Sequence, residues 1–197
     1  MTFLIGLTGS IGMGKSTTAR LFEDEGCAVW DADAAVHRLY AQDGGAVAQM
    51  AEAFPEAVID GAVSRDILKS IITKNPDALR RIEQIVHPLV AQDRAGFIKA
   101  TSAEIVVLDI PLLFETGGEN RVDATVCVSV DAETQKKRVM SRGTMSQDQF
   151  EAILAKQMPD AEKRARADYV ITTDTPEHAA QQVRAVLADV RKRMTHA

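Results

Sequence analysis

The sequence has 197 residues, of which 46% are hydrophobic and 26% charged, a balance typical of one compact globular domain. Its formal net charge of -5 argues against a broad nucleic-acid-binding surface, and no apolar run reaches the ~20 residues that a membrane helix needs. The two cysteines, Cys27 and Cys127, have no metal-ligand spacing. They are therefore expected to be reduced thiols in a cytoplasmic protein, without a zinc site or a disulfide framework.

Short apolar runs predict buried β-strands, and helical periodicity fills the stretches between them. The first run starts directly at the beginning of the chain, without the basic segment or cleavage site of a signal peptide. Alternating strands and helices indicate an α/β fold with a five-stranded parallel sheet that is covered by helices on both faces. The five predicted strands occupy residues 2–7, 28–30, 105–108, 124–130 and 169–171.

Helices are expected over residues 14–25, between residues 34 and about 103, and at the end of the chain. The middle stretch looks like an insertion that forms a wall of the substrate site. Pro88 within it predicts a kink or a helix boundary near His87. The last helix is expected to bury one face, formed by Ala179, Val183, Val186, Leu187, Val190 and Met194.

A glycine-rich motif between the first strand and the first helix indicates the protein class. Its pattern is GxxxxGK[ST], in which glycines turn backbone N–H groups toward phosphate oxygens and the helix N-terminus adds its dipole. Lys15 is expected to reach the β- and γ-phosphates, and Ser16 to bind Mg²⁺. The predicted ATP-binding residues are Gly9, Ser10, Ile11, Gly12, Met13, Gly14, Lys15, Ser16 and Thr17.

Several other nucleotide-binding classes share a glycine-rich loop. The glycine order GxxGxG argues against a Rossmann dinucleotide site, and Asp109 lacks the Asp-x-x-Gly pattern of a GTPase. A different small-molecule kinase, such as a nucleoside or nucleotide kinase, remains an alternative. So does a nucleotide-binding module that transfers no phosphate.

Three carboxylates follow predicted strands, at the sheet edge where α/β proteins bind ligands. Asp31 and Asp33 come after the second strand, and Asp109 ends the third. A kinase needs one acid to accept or orient the acceptor proton, and another can hold waters of Mg²⁺. Asp33 also precedes a helical run, so a helix N-cap is an alternative role, compatible with the first.

Basic residues are concentrated late in the chain, where eight of the 23 lysines and arginines fall between residues 136 and 166. Helical segments around Gly143 favour a lid that closes over ATP and supplies arginines to the γ-phosphate. A solvated helix face is the alternative for most of these side chains. Arg138 and Arg142 lie one turn apart on the same face and are the favoured pair. His87, a lone histidine beside a proline, is more typical of a structural role.

Taken together and in order, these residues resemble the dephospho-coenzyme A kinase family over nearly the whole chain. The phosphate-binding loop alone indicates only a superfamily. The resemblance is carried by Asp31-Ala32-Asp33, His87-Pro88, the run from Asp109 to Glu115, Gln135, Gln157 and the run from Arg166 to Ile171.

The resemblance implies a single P-loop kinase domain over residues 1–197. Its core would occupy about 1–33, 104–135 and 167–197, its acceptor-binding helical insertion about 34–103, and its lid about 136–166. The implied reaction phosphorylates the ribose 3′-hydroxyl of dephospho-coenzyme A with ATP, the last step of coenzyme A biosynthesis. Mg²⁺ is the implied cofactor. ATP and dephospho-coenzyme A are the implied partners, without nucleic acid, membrane or an obligate protein partner.

The resemblance also implies roles for single residues. Asp33 would be the base that faces the acceptor hydroxyl. Asp31 and Asp109 would support the metal ion, with water molecules between their carboxylates and the ion. Lys15, Arg138 and Arg142 would act on the phosphates. The acceptor would lie near Thr8, Asp33, His87, Leu113 and Glu115.

At a few positions the chain departs from the family pattern. Ser10 and Met13 stand where a glycine and a serine are common, and both side chains are expected to point away from the phosphates. Thr173 and Thr175 follow the fifth strand, where Asn and Gly are common. The contacts to adenine in that region are left open.

Overall fold

The strands of the computed structural model, which describes residues 2–195, form one large and one small sheet. In the large sheet the strand order is β2-β5-β1-β6-β7, and all five strands are parallel, as predicted. The small sheet pairs β3 with β4 in antiparallel fashion. The strands are β1 (Phe3–Thr8), β2 (Ala28–Asp31), β3 (Val58–Ile59), β4 (Ala62–Val63), β5 (Ile105–Asp109), β6 (Ala124–Ser129) and β7 (Tyr169–Thr172).

Most of the parallel strands are connected by α-helices, the usual crossover for parallel pairing, whereas β5 is connected to β6 through a 3₁₀ turn. Two short 3₁₀ turns occur at Pro55–Ala57 and Gly118–Arg121. No helix within the described residues is both long and apolar enough to cross a membrane. The helices are α1 (Lys15–Asp24), α2 (Ala32–Tyr40), α3 (Val47–Ala53), α4 (Arg65–Lys74), α5 (Asp77–Ala100), α6 (Ala132–Ser141), α7 (Gln147–Leu154), α8 (Asp160–Arg166) and α9 (Pro176–Thr195).

The described chain divides into two compact units, of which the first comprises the residues up to Trp30 and those from Ser102 onwards. It contains the parallel sheet with α1 and α6 to α9. β1 is central, and its register places Leu7 opposite Asp109 on one side and Val126 on the other. The predicted apolar face of α9 packs into the core of this unit, with all of its members buried except Met194, which is partly buried.

The second unit, Asp31–Thr101, has its own core. The β3–β4 hairpin was missed by the sequence analysis, which expected mainly helix here. Its turn is Asp60-Gly61, and both residues have positive φ, at 49° and 75°, as hairpin turns require. The core is formed by Tyr40, Ala46, Met50, Phe54, Ala57, Val63, Leu68, Ala78, Ile82 and Val86.

Of the kink or helix boundary expected near His87, the boundary was wrong, because α5 runs without interruption from Asp77 to Ala100 and includes Pro88. A kink at this position stays a prediction. A proline inside a helix leaves the carbonyl four residues earlier without its usual N–H donor. That carbonyl belongs to Gln84, and Gln84, His87 and Pro88 are all exposed. Water can therefore satisfy the carbonyl, which makes proline tolerable at this position.

Candidate active site

The loop between β1 and α1 has the backbone geometry of an anion-binding site. Gly12 and Gly14 have φ angles of 78° and 91°, a left-handed conformation that favours glycine. A Cβ atom on Gly14 would lie only 2.9 Å from Thr173 Oγ1, so the position also lacks room for a side chain. Gly14 is the N-cap of α1 and makes no side-chain cap. The first N–H groups of the helix are thus left for an anionic ligand.

Side chains from three distant segments hold this loop in shape. Gln157 Oε1 accepts a hydrogen bond from Ile11 N at 3.2 Å, and Gln135 Nε2 donates to Ile11 O at 2.7 Å. Thr173 Oγ1 donates to Met13 O at 2.6 Å. The loop conformation therefore depends on residues more than 120 positions away in the sequence.

The lysine of the loop is paired inside the protein. Lys15 Nζ donates to Asp109 Oδ1, and the two side chains are 16% and 2% exposed. Asp109 ends β5, the neighbour of β1, so parallel pairing brings the two residues to the same sheet edge. A buried carboxylate needs such a partner, since leaving it unpaired would cost several kcal/mol, on the order of 3–5. Lys15 is therefore held at the loop by a fixed counter-charge.

Oxygen ligands for a divalent cation are present beside the loop. The hydroxyl of Ser16 is exposed in the first turn of α1, and the Asp109 carboxylate is bound to Lys15. No group of three or more His, Cys, Asp or Glu side chains suited to a metal ion lies within residues 2–195. This donor set fits Mg²⁺, which binds few protein oxygens and completes its shell with phosphate and water.

A cavity of ≈ 220 Å³ opens next to the start of α1. Arg138 and Arg142, the two favoured basic residues, both line it. Arg142 is exposed, whereas Arg138 is half-buried and donates to Thr173 Oγ1 at 3.0 Å and to Thr173 O. The sequence had left open what surrounds Thr173 and Thr175; the cavity is lined by Gly14, Thr17, Thr18, Arg138, Arg142, Thr173, Thr175, Pro176 and Ala179.

The segment after β5 is fixed by a fully buried lysine that sequence reasoning missed. Lys163 Nζ lies 3.0 Å from Glu115 Oε1 and donates to Pro111 O at 3.2 Å. Thr8 Oγ1 donates to the same carbonyl at 3.0 Å, and Met158 N donates to Glu115 Oε1 at 2.8 Å. Lys163 belongs to the basic stretch for which a solvated face was the alternative. Of the eight lysines and arginines in this stretch, six are exposed, Arg138 is half-buried and Lys163 is buried.

The environment of Glu115 keeps its carboxylate charged. Burial raises the pKa of Glu115, but hydrogen bonds from Met158 N and Lys163, together with the charge of Lys163, outweigh burial. The pKa of Glu115 therefore lies below its ordinary value. Thr8 and Leu113 have no exposed surface. That these three residues lie near the acceptor stays a prediction.

The two acids after β2 have different roles in the backbone. Asp31 Oδ1 accepts from Ala34 N at 2.9 Å and is the N-cap of α2. The N-cap alternative for Asp33 was therefore wrong: α2 begins at Ala32, two residues earlier than expected, and Asp33 lies exposed in its first turn. His87 is exposed on α5. These three residues belong to the second unit, and their functional roles stay predictions.

Comparisons with known proteins agree on one family. The family model described as dephospho-CoA kinase matches residues 3–178. The dephospho-CoA kinase of Ruegeria pomeroyi is 64% identical over 197 residues, which cover 100% of both chains. The Cereibacter sphaeroides protein of the same name is 54% identical over 190 residues, 96% of each chain.

Solved structures are similar over the whole fold. Protein TT1252 of Thermus thermophilus has a TM-score of 0.86 at 35% identity, covering 95% of this chain and 97% of its own. Dephospho-CoA kinase of Campylobacter jejuni has a TM-score of 0.70 at 23% identity, covering 98% of both. Shikimate kinase of Acinetobacter baumannii shares the fold alone, with a TM-score of 0.56 at 16% identity, covering 98% of this chain and 95% of its own.

Proposed function

The chain belongs to the dephospho-CoA kinase family, whose reaction is the final step of coenzyme A biosynthesis, and we propose that it transfers the γ-phosphoryl group of ATP to the ribose 3′-hydroxyl of dephospho-coenzyme A. The observation that carries this assignment is family membership over the full chain, joined to an intact phosphate-binding loop with its paired lysine. A P-loop kinase performs almost no covalent chemistry through its side chains, so positioning and charge are what the site must supply.

The ATP side of the reaction belongs to the first unit. The N–H groups of the loop and of the start of α1 receive the phosphates, and the cavity beside Thr173 and Thr175 receives the nucleoside. Lys15 moves from Asp109 toward the β- and γ-phosphates when they arrive. Arg138 and Arg142 bring positive charge to the phosphates from the side of the cavity.

Mg²⁺ fits the oxygen donors of Ser16 and Asp109, with Asp31 a further candidate through water. Ser16 and Asp109 would hold the cation, which would supply positive charge against the negative charge that develops on the phosphates. Ser16 is the residue to which we assign direct contact, because its hydroxyl lies exposed in the first turn of α1.

Asp33 is proposed to accept the proton of the acceptor hydroxyl. The 3′-oxygen then bonds to the γ-phosphorus, the bond from that phosphorus to the bridging oxygen breaks, and ADP leaves. An exposed carboxylate that is not used as a helix cap supports this role for Asp33, since both oxygens are available to a ligand. Thr8, His87, Leu113 and Glu115 are proposed to border the acceptor, directly or by fixing the segments that do.

We propose ATP and dephospho-coenzyme A as the partners of the chain, without nucleic acid, a membrane or an obligate protein partner. The proposed location is the cytoplasm. Two buried free thiols, Cys27 and Cys127, support it, because reduced cysteines are usual in that compartment.

The reaction is tested by ADP release from purified protein with ATP, Mg²⁺ and dephospho-coenzyme A, compared with adenosine, AMP and no acceptor. Release only with dephospho-coenzyme A, with coenzyme A as the identified product, is the expected result. ADP release only with another acceptor would support a kinase activity but contradict dephospho-coenzyme A as the substrate. ATP binding without ADP release for any acceptor would favour a binding module.

The role of Asp33 is tested by Asp33→Asn, with Asp66→Asn as the matched control. Asp66 is an exposed acid in the first turn of α4, as Asp33 is in α2. We expect Asp33→Asn to lower kcat by at least about a hundredfold while ATP binds as in the native protein. The control should change neither quantity. A kcat of Asp33→Asn close to the native value would remove Asp33 as the base.

A further inference from the structure

Thr173 connects the phosphate-binding loop with the arginine of the cavity. It directly follows β7 and is 7% exposed. Its hydroxyl donates to Met13 O at 2.6 Å and accepts from Arg138 Nη1 at 3.0 Å. A hydroxyl has one proton to donate, and Ser129 O, the other acceptor nearby, is 3.5 Å away. The proton therefore goes to the loop, and the oxygen remains free to hold the arginine.

The contacts fix the direction of Arg138. Its two terminal nitrogens donate to two atoms of one residue, Oγ1 and the carbonyl oxygen of Thr173. A planar guanidinium held at two points has little freedom to rotate. The carbonyl is itself stationary, because Thr173 N donates to Ser129 O at 2.9 Å and so extends the pairing of β7 with β6. The sheet thus sets the orientation of the arginine through a single residue.

The same hydroxyl lies beside the point where α1 begins. A Cβ added to Gly14 would lie only 2.9 Å from Thr173 Oγ1, so the hydroxyl occupies the space next to this glycine. The loop carbonyl, the helix start and the arginine consequently share one side chain. A shift of the loop carbonyl of Met13 would therefore act on the hydroxyl that holds Arg138.

We propose that Thr173 is a positioning residue whose hydroxyl couples the shape of the phosphate-binding loop to the orientation of Arg138. Its effect on turnover rests on the proposed kinase function. Its effect on nucleotide binding does not, so binding is measured separately.

The test compares Thr173→Val, which keeps the shape and removes the hydroxyl, with Thr173→Ser, which keeps the hydroxyl. Thr172→Val is the control, because Thr172 is the exposed neighbour in β7 and does not line the cavity. ATP affinity is measured by calorimetry, kcat by ADP release, and folding by thermal unfolding. We expect Thr173→Val to weaken ATP binding about tenfold and to lower kcat at least as much. Thr173→Ser and Thr172→Val should stay within about twofold of the native protein.

Arg138→Lys tests the coupling itself, because lysine keeps the charge but cannot make the two-point contact. If Thr173 acts through the arginine, the double variant Thr173→Val/Arg138→Lys should lose little more than the worse single variant. Arg138 is half-buried on α6, so this variant tests the proposal even if Thr173→Val does not fold.

Three results would overturn the proposal: native ATP affinity and kcat in Thr173→Val or in Arg138→Lys, equal losses in Thr173→Ser and Thr173→Val, or fully additive losses in the double variant. If the native protein were inactive with dephospho-coenzyme A, the affinity measurements would still decide the role of Thr173. Failure of the substrate assignment and failure of this coupling are therefore distinguishable.

Discussion

Lys163→Met removes the positive half of an ion pair that is shielded from water. Lys163 is fully buried, whereas the Glu115 side chain is 17% exposed and also accepts from Met158 N. Breaking a buried pair by removing one partner costs roughly 3–5 kcal/mol. Because the remaining carboxylate keeps the Met158 N–H donor, we expect a loss near the lower end, about 3 kcal/mol.

The opposite change, Glu115→Gln, leaves the ammonium group of Lys163 in the interior without its counter-charge. We expect this variant to lose more than Lys163→Met, on the order of 5 kcal/mol. The double variant Lys163→Met/Glu115→Gln leaves no uncompensated charge and should recover most of the loss. The three variants should therefore rank in stability as double, then Lys163→Met, then Glu115→Gln.

Urea unfolding measures these free energies, with Lys156→Met as the control for an exposed lysine of the same stretch. The control should change the free energy of unfolding by less than about 0.5 kcal/mol. The midpoint of thermal unfolding should fall in parallel, by roughly 2–4 °C for each kcal/mol of unfolding free energy that is lost. A Lys163→Met protein as stable as the native one, or a double variant that loses the sum of both single losses, would refute the reasoning.

Lys15→Ala should weaken ATP binding and lower kcat by at least about a hundredfold in the ADP-release assay, because the loop loses its cation; an unchanged rate would contradict its assigned role. Glu115 has a folded pKa below its ordinary value of 4.5, so its contribution to stability is full above that pH and is lost as the pH falls through the folded pKa. The urea midpoint should accordingly decline with acidification below about pH 4.5, and more steeply in the native protein than in Glu115→Gln; equal slopes would contradict this. Burial raises the pKa of Cys27 to about 11 and that of Cys127 to about 12, so neither thiol should react with a thiol reagent at about pH 8 until the protein is unfolded; fast labelling of the folded protein would contradict their burial.

Much of the first unit follows from local sequence. The five strands lie within one or two residues of their predicted bounds, because continuous apolar runs are typical of buried parallel strands. The loop from Gly9 to Ser16 was identified because its glycines and its lysine have a spacing that is mechanistically required. The prediction of the apolar face of α9 was confirmed, because the periodicity of apolar residues indicates which side of a helix is buried.

What the sequence did not reveal depends on contacts between distant segments. Lys163 looks like its exposed basic neighbours, and only a carboxylate 48 positions earlier and a carbonyl 52 positions earlier explain its burial. The bonds of Gln157 to Ile11 and of Thr173 to Met13 span 146 and 160 positions. The boundary expected at Pro88 was wrong for a different reason: water can satisfy the carbonyl that proline leaves without a donor on the solvent-facing side of a helix.

The pairing of Lys15 with Asp109 gives the loop a built-in competitor for anions. A carboxylate attached to the same protein acts at a high effective concentration, so a free anion must displace it before it gains the lysine. Small anions such as inorganic phosphate or sulfate would make few other contacts and would therefore compete poorly. With the proposed function, a nucleoside triphosphate would also contact the loop and the cavity, so its binding energy would offset the exchange. The ion pair would then favour large phosphorylated ligands over abundant small anions, because any anion has to displace Asp109 from Lys15.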